Sequence, residues 1–512
     1  MINIKWLLIL CAIICTQCII RTCEANTNTD GPLKLKTQVI KAANPFTRAS
    51  IFRNPYNYYD FLANSKFFVD TSLLIEYVFD APITLITLAR GFGKSMNLNM
   101  LRTFFEIEFD PTTQEIVPKD QTKAYYLFKC DIVQAEIENI TLRPKFLIKE
   151  RKRIMEQMNK YPVVHLNLGN PHGRYRDLKE ICKFIVSKSN QTFDAHRYMQ
   201  RFNTTPPGLK FKKAYEHLNS IKCSERPGEV SGPLVQLISA LRSHFDVPVI
   251  VLIDEYDSML NGVLIESIRT NENYPNEVIQ YFGNYFGALL KDNENVKTAV
   301  LTGIIPWKNS GVFSELFDKV SIKTMADDTP LECFGITQEN LRDMFNLSHD
   351  GVFKENAYSK MESFYDGYLF GKPPFVKKFN PVSIGMFFNK NQAIKEYWTK
   401  TGNVKVLLEK LTKFKNFNTS FSKLLSGDEV KITSSPSAID FSSAAKLVAK
   451  ADSLNENEWY KSDLNANDID LAFCSLYYAG YLTLSNRAPS PETWMRIPNK
   501  EVMDYLSQSA NQ

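Results

Sequence analysis

The chain has 512 residues, of which 44% are hydrophobic and 23% charged, with a formal net charge of +5. Those values fit a soluble globular protein of two or three domains with a sizeable core, and they exclude a disordered or fibrous chain. The charge is mild for the length and gives no direct sign of a nucleic-acid or membrane-surface partner; the most basic stretch, Lys145–Arg153, reads as a solvated helix face.

Lys5 precedes an almost wholly apolar run, Trp6–Ile20, and Ala25 follows Cys23-Glu24 at a suitable cleavage position. This layout predicts a secretory signal peptide over residues 1–25, because the run falls short of the about 20 apolar residues a membrane anchor needs. No later stretch reaches that length without charge, so the mature chain is expected to be secreted, with no transmembrane span. Sequons at Asn139, Asn190, Asn203, Asn346 and Asn418 would accept N-glycans in a eukaryotic secretory pathway, making the product a glycoprotein. Outside the signal segment Cys130, Cys182, Cys223, Cys333 and Cys474 remain, an odd number that allows at most two bridges and leaves their pairing open. Among these five no CxxC pair or His/Cys cluster suggests zinc. Residues 26–45 are polar and aperiodic and read as a linker.

Phe67–Asp70 is a predicted short strand and Ser72–Phe79 a predicted helix. The stretch Ile83–Phe105 then shows an apolar, β-rich run, the loop Arg90-Gly91-Phe92-Gly93-Lys94-Ser95, and a helical pattern. A strand that delivers the chain to a glycine turn at a helix N-terminus is the layout of a phosphate-binding loop. In such a loop Lys94 reaches the β- and γ-phosphates and the Ser95 hydroxyl ligates Mg²⁺. The usual spacing wants a further glycine where Leu88 stands, so the match is incomplete.

Tyr161–Leu168 is a second short β run. Between it and the next strand the chain reads as helices, with breaks at Thr204–Gly208 and Arg226–Gly228. Val247–Ile253 is continuous and β-branched, as a strand buried on both faces of a parallel sheet requires, and it ends in Asp254-Glu255. Asp254 is placed to hold the Mg²⁺ shell, and Glu255 to orient and activate the attacking water. Val296–Ile305 is another strand, with Thr302-Gly303 near its end. In ATPases with an additional central strand, a polar residue there contacts the γ-phosphate or the water, and Thr302 fits that role. The alternation of strands and helices predicts a parallel sheet. From about Gln338 the chain turns helical and aromatic, and Lys413–Ala438, with its Ser and Thr clusters, reads as a partly mobile insertion.

Several further stretches complete an ordered series from Phe52 to Val502: Phe68–Ile75, Glu332–Thr337, Tyr365-Asp366-Gly367-Tyr368, Asn380-Pro381-Val382-Ser383, Tyr397-Trp398, Ala479–Thr483 and Ile497–Val502. The series resembles the AAA-ATPase-like family, whose members carry a P-loop ATPase core, a helical region and often a restriction-nuclease-type domain. The resemblance implies an α/β P-loop NTPase with a parallel sheet and flanking helices over residues 46–337, then a mainly α-helical C-terminal domain over 338–512. The family's loop reads like RPRRFGKS, which accounts for the missing glycine. Leu88, Ala89 and Gly91 stand where that pattern has Arg, Pro and Arg, leaving Arg90 as the candidate phosphate contact. Thr71-Ser72 likewise replace a Lys-Thr pair. Fewer loop cations imply weaker binding, or weaker neutralisation where charge develops in the transition state.

These residues predict a protein that binds and hydrolyses ATP with Mg²⁺. A second reading, from a different class, is a secreted interaction or effector protein with an unidentified protein partner that keeps the fold with little or no turnover. Its motive is the signal segment together with the altered loop, since extracellular fluid is poor in ATP. Nuclease activity is not expected, because the chain ends within about ten residues of Ile497–Val502.

Overall fold

Strand β1 (Gln38–Lys41), which falls in the stretch read as linker, pairs antiparallel with β2 (Phe67–Asp70). The computed structural model describes residues 38–41, 58, 61–62 and 67–510. Within the last range the breaks are at 111, 130–132, 136–139, 143–145, 171–172, 174, 224–227, 267–273, 308–310, 314–315, 317–318, 328–330, 349–354, 400–403, 434–435, 437–438 and 488–492. The expected signal segment, most of the linker, Cys130 and Asn139 lie outside the described residues.

Five parallel strands form the central sheet: β3 (Ile83–Thr87), β4 (Val163–Asn167), β5 (Val249–Asp254), β6 (Val296–Gly303) and β7 (Val320–Lys323). Every residue of β3 and β5 is buried, which is why both read as mostly apolar, β-branched runs. The spatial order is β4-β5-β6-β3-β7. The strand carrying Thr302 therefore lies between the phosphate-loop strand and the acid-ended strand, as an additional central strand does. Strand β7 was not legible in the sequence: it has four residues, all only half-buried.

Helices α1 (Leu74–Phe79), α2 (Lys94–Phe105), α3 (Leu178–Ala195), α4 (Pro206–Ser220), α5 (Gly228–Phe245), α6 (Ser258–Glu266) and α7 (Tyr274–Leu290) complete the α/β half. Part of the predicted break at Thr204–Gly208 is the start of α4. The Thr205 hydroxyl accepts from the Gly208 N–H, and Pro206-Pro207 open the helix, where a missing N–H costs nothing. Cys182 of α3 is bridged to Cys223 beyond α4, with Cα atoms 5.5 Å apart, while Cys333 and Cys474 are buried free thiols.

The C-terminal half holds α8 (Gln338–Ser348), α9 (Glu355–Tyr365), α10 (Pro381–Asn389), α11 (Val404–Leu411), α12 (Lys415–Leu425), α13 (Phe441–Ser453), α14 (Ala466–Ala479) and α15 (Lys500–Ala510). Two small antiparallel sheets lie among them. One joins β8 (Ile336–Thr337), β9 (Tyr368–Phe370) and β10 (Val376–Phe379); the other joins β11 (Val430–Ile432), β12 (Thr483–Leu484) and β13 (Thr493–Arg496). The expected insertion at Lys413–Ala438 instead builds α12 and β11, with Phe417, Phe421 and Leu424 buried.

The short motifs of this half are joints between its elements. The wholly buried Glu501 carboxylate accepts from the Ser383 hydroxyl (2.6 Å) and from the N–H groups of Tyr397 (2.6 Å) and Trp398 (3.1 Å). Asn499 donates to the Tyr365 carbonyl, and Arg496 reaches the Gly367 carbonyl. Glu501→Ala leaves those three donors without that acceptor in the core and should cost about 3 kcal/mol. A chemical denaturation curve checks this, and an unchanged midpoint would show the joint to be dispensable.

Candidate functional site

The loop after β3 is fixed at both ends. Its first residue, Leu88, donates its N–H to the carbonyl of Gly303 at the end of β6 (3.1 Å), and Gly93 caps α2 with φ of 83°. Gly91 also lies in the left-handed region, φ 82°, where side chains are disfavoured. Leu88 and Ala89 are fully buried, and a Cβ on Gly480 would come within 2.6 Å of the Ala89 Cβ. Phe92 turns inward against Tyr368 and Phe370, each ring 5.1 Å away. Two of the positions that carry Arg or Pro in the family pattern are thus core positions here.

Lys94 opens α2, and its Nζ donates to the carbonyls of Leu88 (2.8 Å) and Ala89 (3.0 Å). Burial lowers its pKa to about 8, against the pull of Asp257, Asp254 and Glu255. Glu255 shows the converse: burial, and then the neighbouring Asp254, raise its carboxyl above the usual range, while Arg90 and Lys94 pull it back. Its backbone has φ of 51°, a conformation that costs a residue with a side chain about 1 kcal/mol and that concentrates at functional sites.

Asp254 and Thr302 are each 2% exposed and are joined directly, the Thr302 hydroxyl donating to Asp254 Oδ1 at 2.5 Å. The Glu255 N–H reaches the same oxygen at 3.0 Å. Thr302 thus meets a carboxylate rather than the open cleft. Its neighbour Gly303 is required by packing, since a Cβ there would lie 2.5 Å from the Tyr256 ring and 2.7 Å from Asp257.

A cleft of about 560 Å³ runs over the loop between the α/β half and the C-terminal helices. Arg90, Gly91, Phe92, Gly93, Lys94, Ser95 and Glu255 all line it, whereas Asp254 and Thr302 lie behind its wall. The volume is in the range of small-ligand sites. Three contributors were given no role in the site from the sequence. Asp257, buried beside Glu255, accepts from the N–H groups of Ile304 and Ile305 and from Asn261. Asn167 pairs in register with Asp254 at the end of β4. Asn380 caps α10 and also donates to the Arg90 carbonyl (2.9 Å). The Asn-Pro pair is a readable helix start, but its reach to a loop 290 residues away leaves no local signal.

A five-stranded parallel sheet with flanking helices, and a glycine loop that leads from a sheet strand into a helix, define an α/β fold of the P-loop type. A family model described as "Predicted AAA-ATPase" matches residues 56–313, and the chain belongs to this AAA-ATPase-like family. It is, at the level of the family, an ATPase-like protein. The chain is also similar to the "Uncharacterized protein in vnfD 5'region" of Azotobacter chroococcum mcd 1, at 21% identity over 299 residues, which is 57% of this chain and 48% of that protein. It spans about half the length of this curated relative. Among the described residues no helix is long and apolar enough to cross a membrane.

Proposed function

We propose that the protein binds ATP with Mg²⁺ in this cleft and hydrolyses it. The observation that carries the reading is the convergence of Arg90–Ser95, the buried Lys94 and the perturbed Glu255 on one cleft. Gly91 and Gly93 leave backbone N–H groups free of a shielding side chain, and the N-terminus of α2 favours an anion. Lys94 would give up its two loop carbonyls for phosphate oxygens. Glu255, whose carboxyl is raised above its usual range by burial, is suited to take a proton from water. Thr302 acts by holding Asp254 rather than by touching the γ-phosphate.

The residues fit a magnesium ion. Ser95 lines the cleft and would supply a hard oxygen donor directly, and Asp254, behind the cleft wall, would act on the ion's shell through water, a sparse protein set that Mg²⁺ takes when phosphates and water fill the rest. Among the described residues no cluster of three His, Cys, Asp or Glu side chains could hold a metal, so the ion would be held together with the nucleotide. When bound it would neutralise phosphate charge; the loop and Lys94 bind and orient the triphosphate, and Glu255 holds the proton.

The test is titration of the purified protein with Mg·ATP, followed by phosphate release; no binding would sink the reading. The pH profile carries a sign of its own. Lys94 is protonated below about 8 before nucleotide binds, so affinity should fall as pH rises through that value. Its unfolded pKa is the ordinary 10.5, so between about 8 and 10.5 the unfolded chain holds a proton that the folded chain lacks. Over that window this group makes the fold more stable with rising pH, opposite to its effect on affinity. Titration at pH 7 and pH 9 checks the first, and thermal melts at pH 8 and pH 10 the second.

A second reading is favoured by one observation, the Cys182–Cys223 bridge. Disulfides persist in oxidising compartments, which supports secretion and hence an effector role towards an unidentified protein with little turnover. If the route is secretory, the bridge closes a segment with a sequence separation of 41 residues and Cys182→Ser should cost about 4 kcal/mol by the loop-entropy relation. Asn203, exposed in the turn before α4, should then carry a glycan. Peptide mapping of the secreted protein without reductant checks both, and N-terminal sequencing checks cleavage near residue 25.

A further inference from the structure

We propose that Asn380 is a positioning residue of the phosphate loop, holding the Arg90–Gly91 peptide so that the Gly91 N–H faces the cleft. The proposal rests on the nucleotide reading above for its functional consequence and on geometry alone for its structural part. Asn380 is 1% exposed and stands behind the loop: Gly91 and Pro381 line the cleft, and Asn380 does not. Its amide is fixed at both ends. Oδ1 accepts from the Val382 N–H (2.9 Å), the N-cap bond of α10, and Nδ2 donates to the Arg90 carbonyl (2.9 Å). The N–H of Val382 can face only the amide oxygen, so the orientation of the side chain is not arbitrary.

A trans peptide is planar, with its C=O and N–H directed oppositely. An Arg90 carbonyl pulled towards Asn380 therefore turns the Gly91 N–H away from it, to the cleft side. Anion-binding loops work by aiming such amides, and one aimed in advance does not have to be ordered when the ligand arrives. Gly91 is the partner this arrangement demands. A Cβ there would lie 2.6 Å from Asn380 Oδ1 and 2.8 Å from Nδ2, so no side chain fits while Asn380 is in place. The position that carries arginine in the family pattern is thus glycine here for a stated reason: the loop gives up a cation and gains an oriented amide. The same bond ties the loop to α10, whose Ser383 is anchored to Glu501 of α15.

The test uses the full chain with Asn380→Asp, which keeps the acceptor that caps α10 and removes the donor to Arg90. Asn380→Ser, a neutral capping residue without the reach, serves as a second variant in case the buried carboxylate prevents folding. Hydrogen exchange of the ligand-free protein should show faster exchange at residues 90–93, with α10 close to wild type and the thermal midpoint lowered by about what one lost buried hydrogen bond costs. Affinity for Mg·ATP should fall about tenfold, the equivalent of one lost hydrogen bond. Loop exchange equal to wild type in both variants overturns the proposal. If the wild-type protein binds no nucleotide, the nucleotide reading falls alone, and the exchange of residues 90–93 still decides what Asn380 does.

Discussion

Lys94→Ala is expected to weaken Mg·ATP binding by at least about 100-fold while leaving the fold intact. Charge-assisted hydrogen bonds to phosphate contribute roughly 1.5–3 kcal/mol each, and a buried ammonium acts with little solvent screening. The other loop cation, Arg90, lines the same cleft, while Leu88 and Ala89, both wholly buried and apolar, add no charge. Little else on the loop can take over the charge. Stability should change by no more than about 1 kcal/mol, because the variant loses two hydrogen bonds to loop carbonyls but also the desolvation of a buried cation. Isothermal titration with a thermal melt on the same sample makes the measurement. Affinity within about threefold of wild type would show that the nucleotide, if bound, is not held by this loop.

Glu255→Gln separates binding from turnover. The amide has nearly the same shape, cannot take a proton, and keeps the backbone conformation that the strand end imposes. Loss of a general base usually costs 10²- to 10⁴-fold, so phosphate release at saturating Mg·ATP should fall by at least about 100-fold. Affinity should be kept or slightly improved, since Asp254 and Asp257 lose a like-charged neighbour and the triphosphate meets one negative charge fewer. Equal turnover in the variant would move the base elsewhere. No turnover even in the wild type, with binding intact, would favour the effector reading.

Much of this was legible because it is local. The loop from Gly91 to Ser95 and the acid pair at Asp254-Glu255 announce themselves in a few residues, and β3 and β5 are buried throughout and mostly apolar, as strands inside a parallel sheet are. Strand β7 failed that test, being short and half-exposed. The Ser and Thr clusters of Lys413–Ala438 suggested a loop, yet Phe417, Phe421 and Leu424 recur at helical spacing and are the side chains that α12 buries. Thr302 was found at the right strand end, but which atom its hydroxyl meets depends on how β5 and β6 are staggered, and the register shift near Val249 and Ile250 has no signature in either strand alone. Asn380 and Gly480 stood in the sequence only as members of the family series. Their contact with the loop belongs to tertiary structure.

That last contact orders events in time. The loop at residues 88–93 is finished by Asn380, 290 positions after Arg90, and by Gly480, later still. Contacts so distant in sequence close slowly and only once both partners exist. With Asn380 in its proposed role, a ribosome that has made the sheet has not yet made a competent loop. A fragment ending before Asn380 would be expected to carry every residue of the glycine loop and both acids, and still to lack the two contacts that fix the loop; residues 380 and 480 complete what residues 88–93 begin.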